Sequence, residues 1–225
     1  MATMSNSNSG SDSHSVPEHP VTHFANVDVG SPQMAGSATP VRNGWDLIAG
    51  GVDIWENSDQ FHFVFREISG DFDIAVRVES FTPAHLYSKA GLMIRESQDA
   101  ASAHVMFVVF SDDEPRNNNL GAYEMQFRPR RGDSCQAIYP LVRPPAPPEF
   151  PAAFPNAWLR VARRGNQFSA YASTNGQIWK LYGETVLALP DTLKVGPALT
   201  SHNPETAAKA SFRDYVEFVI EQSAR

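Results

Sequence analysis

The sequence is poor in cysteine and lacks the features of an exported protein. Its 225 residues include one cysteine, Cys135, so neither a disulfide within the chain nor a zinc centre built on several thiolates can form. No Asn-x-Ser/Thr acceptor for N-glycosylation occurs, and the N-terminal residues lack the basic start and apolar stretch of a signal peptide. These absences together predict a cytoplasmic location.

Basic residues and long apolar runs are also scarce. Eighteen Lys and Arg residues are outnumbered by 25 Asp and Glu residues, which leaves a net charge of −7. This balance argues against a nucleic-acid partner held by phosphate neutralisation. The apolar run at residues 105–110 is far shorter than the roughly 18 residues that cross a bilayer, so we expect no membrane partner either.

Length and composition predict one folded domain between two tails. With 42% apolar residues, a chain of this size can bury roughly 70% of its unfolded surface around a single core. Residues 1–20 are rich in Ser and Asn and poor in apolar side chains, which predicts a disordered N-terminal tail. We therefore expect a folded domain over residues 21–220 and a C-terminal tail over residues 221–225.

Apolar residues recur with period two along this domain, which is typical of β-strands. Phe61, Phe63 and Phe65 share one face of such a segment, and residues 72–79 alternate in the same way. The run at 104–110 is apolar on both parities, as expected of a strand covered on both faces. Further strands are predicted at 92–94, 123–128, 158–163, 167–173, 179–186, 194–201 and 210–220. Because this many strands need two antiparallel sheets packed face to face, the predicted fold class is an all-β sandwich.

Proline is concentrated in one insertion. Seven of the sixteen residues in Pro140–Pro155 are proline, so this segment cannot donate the hydrogen bonds of a central strand. An extended proline-rich segment is a common docking element, which makes Pro140–Pro155 a candidate contact for a protein partner.

Six blocks of sequence resemble the bacterial and fungal family named for regulation of enolase. They lie at residues 50–55, 58–63, 69–72, 89–96, 155–160 and 198–203, in the family's order. The resemblance implies a concanavalin A-like jelly-roll β-sandwich of the lectin and glucanase type. It leaves the activity open, because this fold serves lectins, glucanases and lyases alike. The Pro140–Pro155 insertion and the loop at 117–119 depart from the family's pattern.

A sugar site needs planar donors and acceptors together with an aromatic platform. If the even-parity faces of neighbouring strands line one concave sheet, the side chains that share its groove are Arg77, Lys89, Arg95, His104, Gln126, Arg128, Trp158 and Arg160. Trp158 with Arg95, Gln126 and Arg160 would supply the groups that a sugar needs. The candidate ligand-binding residues are Arg95, Glu96, His104, Gln126, Arg128, Trp158, Arg160 and His202. The alternative is that Trp158 is a core residue and that the arginines are solvated.

Arg95 and Glu96 are adjacent in a predicted strand, so their side chains point to opposite faces. One charge must then face inward and needs a buried partner, for which His62, Tyr123 and backbone groups are candidates. A buried polar network that fixes the strand register is the structural interpretation of this pair, and a role in ligand binding is the functional one.

Evidence for catalysis is weak. The Glu-x-Asp-x-x-Glu arrangement of the superfamily's glucanases does not occur, so a hydrolase would need acids from separate strands, such as Glu96 and Glu124. A lyase would need a base near an acidic sugar, for which Tyr123 and His104 are candidates by residue type alone.

Metal ligands are not grouped in the sequence either. The histidines lack the spacing of a zinc site, and no metal-binding residue is assigned. Calcium is the one candidate cofactor, on the acidic loop Asp112, Asp113 and Glu114.

Three functional hypotheses follow. The first is a non-catalytic carbohydrate-binding or interaction domain, with a glycan or small sugar as its ligand. The second is a glycan-active hydrolase or lyase. The third is a regulatory module that binds another protein through Pro140–Pro155.

Overall fold

A computed structural model of the chain describes residues 24–116, 122–139 and 148–220. The predicted tails at 1–20 and 221–225, the loop at 117–119 and residues 140–147 of the proline-rich insertion lie outside the described residues. The predictions made for them stay predictions.

Within the described ranges the chain forms β-strands and no helix. In chain order they are β1 (Ala25–Val29), β2 (Ser37–Val41), β3 (Gly44–Ala49), β4 (Ile54–Trp55), β5 (Ser58–Asp59), β6 (Phe61–Ser69), β7 (Phe72–Thr82), β8 (Lys89–Arg95), β9 (His104–Val109), β10 (Tyr123–Arg128), β11 (Gln136–Ile138), β12 (Ala157–Arg164), β13 (Gln167–Ser173), β14 (Lys180–Val186), β15 (Thr192–Thr200) and β16 (Ala208–Glu217). The described part contains no helix with the length and hydropathy needed to cross a bilayer.

The strands form two antiparallel seven-stranded sheets and a small hairpin. Sheet A has the order β1-β6-β15-β8-β9-β10-β11, and sheet B has the order β14-β13-β12-β7-β16-β3-β2. Strands β4 and β5 pair only with each other. Because half of the neighbouring strand pairs are distant in sequence, the chain passes repeatedly between the two layers, as in a jelly roll. The predicted all-β, two-sheet antiparallel sandwich is therefore confirmed.

The main core lies between the two sheets and follows the predicted alternation. On β7 of sheet B, Phe72, Ile74, Val76 and Val78 are all buried and point toward sheet A. Burying one side chain of this size contributes roughly 1.5–3 kcal/mol. The hairpin turn between β12 and β13 is placed by Gly165, whose φ of 58° lies in the left-handed region that glycine tolerates.

A second apolar layer covers the opposite, outer face of sheet A. Phe61, Phe63 and Met93 point away from the core between the sheets, yet all are fully buried. The chain between β3 and β6, residues 50–60, crosses this face, and Ile54 packs into the layer. Sheet A is therefore covered on both faces, and residues 50–60 decide which of its outward side chains reach solvent.

Candidate functional site

The strand register places the outward side chains of sheet A in rows across β8, β9 and β10. One row contains Arg95, His104 and Arg128. The row of Met93, Met106 and Gln126 lies next to it, and the row of Gly91, Val108 and Glu124 follows. Lys89, at the start of β8, lies beyond these rows. Polar side chains thus occupy both ends of the covered face and the β10 side, with apolar residues between them.

The first polar group is a closed charge cluster around Asp59, the last residue of β5. The Arg128 guanidinium donates to both Asp59 carboxylate oxygens at 2.6 and 2.7 Å, and Arg95 Nη1 donates to Oδ2 at 3.1 Å. All three side chains are fully buried. Burial alone would raise the pKa of Asp59, but His104, Arg128 and Arg95 outweigh it and hold this pKa below its ordinary value.

His104 and Cys135 complete this cluster, which we call the sealed cluster (Asp59, Arg95, His104, Arg128 and Cys135). The Arg128 guanidinium lies 3.3 Å from His104 Nδ1, and His104 Nε2 lies 3.4 Å from Cys135 Sγ. Burial lowers the pKa of His104 to about 3 and raises the pKa of the Cys135 thiol to about 12. Both groups are therefore neutral at physiological pH, and the thiol is not a nucleophile.

Backbone carbonyls take up the remaining donors of the sealed cluster. Arg95 donates to the carbonyls of Ser97 and Asp99, and Arg128 donates to those of Trp55 and Glu56. Arg95 is the inward-facing charge of the Arg95–Glu96 pair, and backbone groups are among its partners as expected. Its side-chain partner is Asp59 of the β4–β5 hairpin and not His62 or Tyr123. Three predicted ligand-binding residues, Arg95, His104 and Arg128, thus hold residues 50–60 on the sheet and face protein.

The second polar group lines an open pocket of about 250 Å³ at the other end of the same face. It is formed by Asp53, Trp55, Tyr87, Lys89 and His202, and we refer to it as the pocket. Asp53 and Trp55 flank Ile54, which is anchored in the apolar layer, so the same crossing segment supplies two of its walls.

An ion pair forms one wall of the pocket. Lys89 Nζ donates to Asp53 Oδ1 at 2.7 Å and to the carbonyl of Ile54 at 2.9 Å, and it lies 5.4 Å from the centre of the Trp55 ring. Burial works to raise the pKa of Asp53, but the charge of Lys89 and the contact with His202 keep this pKa below its ordinary value. Asp53 is therefore ionised at neutral pH.

Aromatic rings form the opposite wall. His202 stacks on His85 with ring centres 4.5 Å apart, and Tyr87 lies 5.4 Å from His202. His202 is the second residue after β15 and has a φ of 54°. Its Nδ1 lies 3.2 Å from Asp53 Oδ2, without the alignment of a hydrogen bond. Of the predicted ligand-binding residues, His202 alone lines the pocket.

Two buried acceptors lie behind the Lys89 wall. Glu124 Oε2 and Gln126 Oε1 have no hydrogen-bond partner within the described protein. Gln126 Nε2 donates to the carbonyl of Ile54 at 3.3 Å, the same oxygen that accepts from Lys89. Burial raises the pKa of Glu124, and the nearby Lys89 charge opposes this shift.

Trp158 and Arg160 lie on sheet B, so the expectation of one groove containing them together with Arg95 and Gln126 was wrong. Both side chains are on the outer face of β12, separated from the outer face of sheet A by the whole sandwich. Arg160 Nε and Nη2 donate to the two carboxylate oxygens of Asp73 at 2.7 and 2.8 Å. The guanidinium carbon of Arg160 lies 4.4 Å from the centre of the Phe218 ring. Trp158 is half-buried, so it is not a core residue.

Glu96 is exposed beyond the end of β8. The register separates it along the strands from Glu124, which lies opposite Val108 in the middle of the sheet. These two acids therefore do not face one another as a hydrolytic pair would.

The acidic loop is engaged with protein groups. Asp112 pairs with Arg116, and Asp113 Oδ1 accepts the backbone N–H of Ala152 at 2.7 Å. Among the residues the structure describes, no three His, Cys, Asp or Glu side chains come together as metal ligands.

Comparison with known proteins bears on the fold. A scan against protein-family models finds no match, and a search of curated proteins finds no relative. A functionally unknown protein from Saccharomyces cerevisiae superposes with a TM-score of 0.65 at 17% identity, over 90% of this chain and 99% of the yeast chain. The carbohydrate-binding module CBM66 from Bacillus subtilis superposes with a TM-score of 0.51 at 14% identity, over 88% of this chain and 96% of the module.

The GH43 protein BlXynB from Bacillus licheniformis matches with a TM-score of 0.51 at 16% identity. The match covers 81% of this chain and 35% of BlXynB. The sandwich is similar to the concanavalin A-like lectin and glucanase fold. At these identities the likeness concerns the fold, and the concanavalin A-like fold does not fix a ligand.

Three of the five residues that line the pocket, Asp53, Trp55 and Tyr87, are missing from the sequence-based groove and site. Asp53 precedes and Trp55 ends the two-residue strand β4, and a large aromatic residue next to the polar residues 56–60 is itself a signal. Tyr87 lies just before β8, and Lys89, a groove candidate, lies at its start. Both become part of the pocket only when residues 50–60 fold across sheet A. No spacing rule in the sequence predicts that crossing.

Proposed function

We propose that the protein is a non-catalytic sugar-binding domain whose ligand occupies the pocket. The observation that carries this proposal is the meeting of the Trp55 indole, the Tyr87 ring and the polar groups of Asp53 and His202 around one open cavity. Its volume of about 250 Å³ suits one sugar ring, because ligand pockets for larger molecules start near 300 Å³.

The chemistry of the lining groups supports a sugar. An indole or phenol ring packs against the C–H face of a pyranose, and fixed carboxylate and imidazole groups hydrogen-bond to its hydroxyls. The pocket also lies beside a rigid anchor, because Ile54 and the Asp59 of the sealed cluster hold the crossing segment on the sheet at two points. A preorganised wall reduces the entropy lost on binding.

Sugar-binding folds among the neighbours agree with this proposal, since CBM66 is a carbohydrate-binding module by name. Among the residues proposed from sequence, His202 would contact the ligand directly. Gln126 would act by holding the Ile54 carbonyl behind Lys89. Arg95, His104 and Arg128 would act by holding the β4–β5 hairpin in place.

The proposal is tested by titration calorimetry with a panel of monosaccharides and short glycans, with the full chain and two variants. Trp55→Ala removes the aromatic wall of the pocket and is expected to weaken binding at least tenfold, from an expected range of millimolar to micromolar Kd. Trp179→Ala is the matched control, because Trp179 is equally large but lies on the sheet B side, next to Trp158. It should bind like the unaltered protein.

Two results contradict the proposal. One is the absence of binding to every sugar of the panel. The other is a sugar whose affinity falls with Trp179→Ala and not with Trp55→Ala, because that pattern would place the ligand on sheet B.

Membership of the regulation-of-enolase family is a finer proposal, which rests on the six sequence blocks listed above. A cytoplasmic location and a protein contact through Pro140–Pro155 are likewise proposals. Cell fractionation tests the first, and co-purification with and without residues 140–147 tests the second.

A further inference from the structure

The one cation that lines the pocket is already neutralised. Lys89 is 3% exposed, and its ammonium group donates to Asp53 Oδ1 and to the Ile54 carbonyl while lying over the Trp55 ring. A ligand carboxylate would have to compete with Asp53 for this ammonium in a partly dehydrated site. Displacing Asp53 from this buried ammonium is costly, because the Asp53 carboxylate would lose its counter-charge.

The buried groups next to Lys89 add acceptors and no further cation. Glu124 Oε2 and Gln126 Oε1 are both inaccessible and have no hydrogen-bond partner within the described protein. In the row of Glu124 the β8 residue is Gly91, so no side chain on β8 stands between that row and Lys89. Glu124 therefore acts on the pocket through its charge, as it does on Lys89.

His85 does not restore a positive charge beside Lys89. His85 stacks on His202, and burial together with the neighbouring His202 lowers the pKa of His85, although Asp53 acts in the opposite direction. The groups that face this ring pair are Asp53 from residues 50–60, Tyr87 from the chain before β8 and Lys89 from β8. Asp53 thus lines the pocket and Glu124 lies buried behind Lys89, so two carboxyl groups surround one ammonium group that Asp53 already engages.

We propose that the pocket accepts neutral or amine-bearing sugars, whose hydroxyl or ammonium hydrogens are donated to the Asp53 carboxylate in front of the buried Glu124, and that it rejects uronates. This inference rests on the proposed sugar-binding function and adds the charge class of the ligand. Hydroxyl groups and ammonium groups bring donors to Asp53, whereas a uronate brings two more acceptors and a negative charge.

The experiment uses pairs of methyl glycosides that differ only at C6: glucoside with glucuronide, and galactoside with galacturonide. Methyl glucosaminide adds an amine. Binding is measured by calorimetry at pH 8, which favours the ionised form of both carboxyl groups. We expect the neutral member of a binding pair to have at least tenfold lower Kd than its uronate, and the aminosugar to bind at least as well as the glucoside.

A uronate that binds as tightly as its neutral partner overturns this inference and leaves the sugar-binding proposal standing. If no glycoside binds, the proposed function fails and the inference fails with it. The two failures are therefore distinguishable.

Two variants locate the source of the discrimination. Glu124→Gln keeps the size of the side chain and removes its negative charge, and it should reduce the preference for the neutral sugar to less than about threefold. Glu67→Gln removes the same charge from an exposed residue of β6 that pairs with Lys194, and it should retain the full preference. Thermal unfolding of both variants establishes that they are folded. Undiminished discrimination in folded Glu124→Gln would contradict the proposal.

Discussion

The sealed cluster and the pocket are built from the same materials with opposite results. Each centres on an aspartate of residues 50–60 held by cations of sheet A: Asp59 by Arg95 and Arg128, and Asp53 by Lys89. Asp59 is fully buried, whereas the Asp53 side chain is 23% exposed. In the sealed cluster the guanidinium, carboxylate and carbonyl groups hydrogen-bond to one another. The pocket instead has accessible rings beside its ion pair, and unpaired acceptors lie buried behind Lys89.

This difference shows that a charged residue on a binding face is not by itself a binding residue. The arginines of the sealed cluster have the right chemistry for sugar hydroxyls, but their donors are already used within the protein. A group is available to a ligand when its hydrogen-bonding capacity is left over after folding. By that criterion the pocket is the proposed site, and the sealed cluster is the anchor of the segment that forms its wall.

The largest expected effect comes from the same substitution made in both regions. Asp59→Asn leaves two buried guanidinium groups without a counter-charge and is expected to lower the free energy of unfolding by about 3–5 kcal/mol. Asp53→Asn should lower it by only about 1–2 kcal/mol, because Lys89 keeps the Ile54 carbonyl as a partner. Urea denaturation of both variants measures these values.

A surface control completes this pair. Asp46 forms an ion pair with Arg213 on the outside of sheet B, so Asp46→Asn should cost less than about 1 kcal/mol. If Asp59→Asn is no more destabilising than Asp46→Asn, the sealed cluster is not the structural anchor described above.

A smaller effect is expected from pH. The pKa of His104 is about 3 in the folded protein and about 6.5 in an unfolded chain, so the unfolded chain binds an extra proton between these values. Stability should therefore fall as the pH decreases from 6.5, by about 1.4 kcal/mol per pH unit from this one group. Urea midpoints measured between pH 4 and 6.5 test this slope.

His104→Gln isolates that contribution. The lowered pKa of His85 acts in the same direction and the raised pKa of Glu124 acts against it, but both are common to the two proteins and cancel in the difference. The lowered pKa of Asp59 affects stability mainly below about pH 4, outside the window. An unchanged slope in His104→Gln would mean that His104 is protonated in the folded state.

The sequence predicts a strand well where its apolar residues alternate and are also buried in the core. Apolar residues alternate over 61–65 and 72–79, which fall within β6 and β7. The mainly apolar run 104–110 coincides with β9, which ends one residue earlier, at Val109. Strand β2 escapes the same reasoning, because it is short, largely exposed and contains Pro40 at the edge of sheet B. An edge strand has one neighbour and little burial, so its residues carry little pattern.

The site was less predictable, for a physical reason. Alternation shows which residues share a face of one strand, but it does not show which sheet the strand joins. Gln126 and Arg160 were expected in one groove by parity alone, although β10 and β12 belong to different sheets. Nor does parity reveal that residues 50–60 cover the outer face of sheet A. That crossing depends on tertiary contacts of Ile54 and Asp59, both fully buried.

The indole N–H resonances of the four tryptophans test the central claim most directly. Trp45 is in the core, Trp55 lines the pocket, and Trp158 and Trp179 lie on the sheet B side. In a nitrogen-15 NMR titration with the tightest-binding sugar, assigned with single Trp→Phe variants, the Trp55 signal should shift with a saturable dependence while the other three stay in place. Saturable shifts of Trp158 or Trp179 with an unmoved Trp55 would contradict the account.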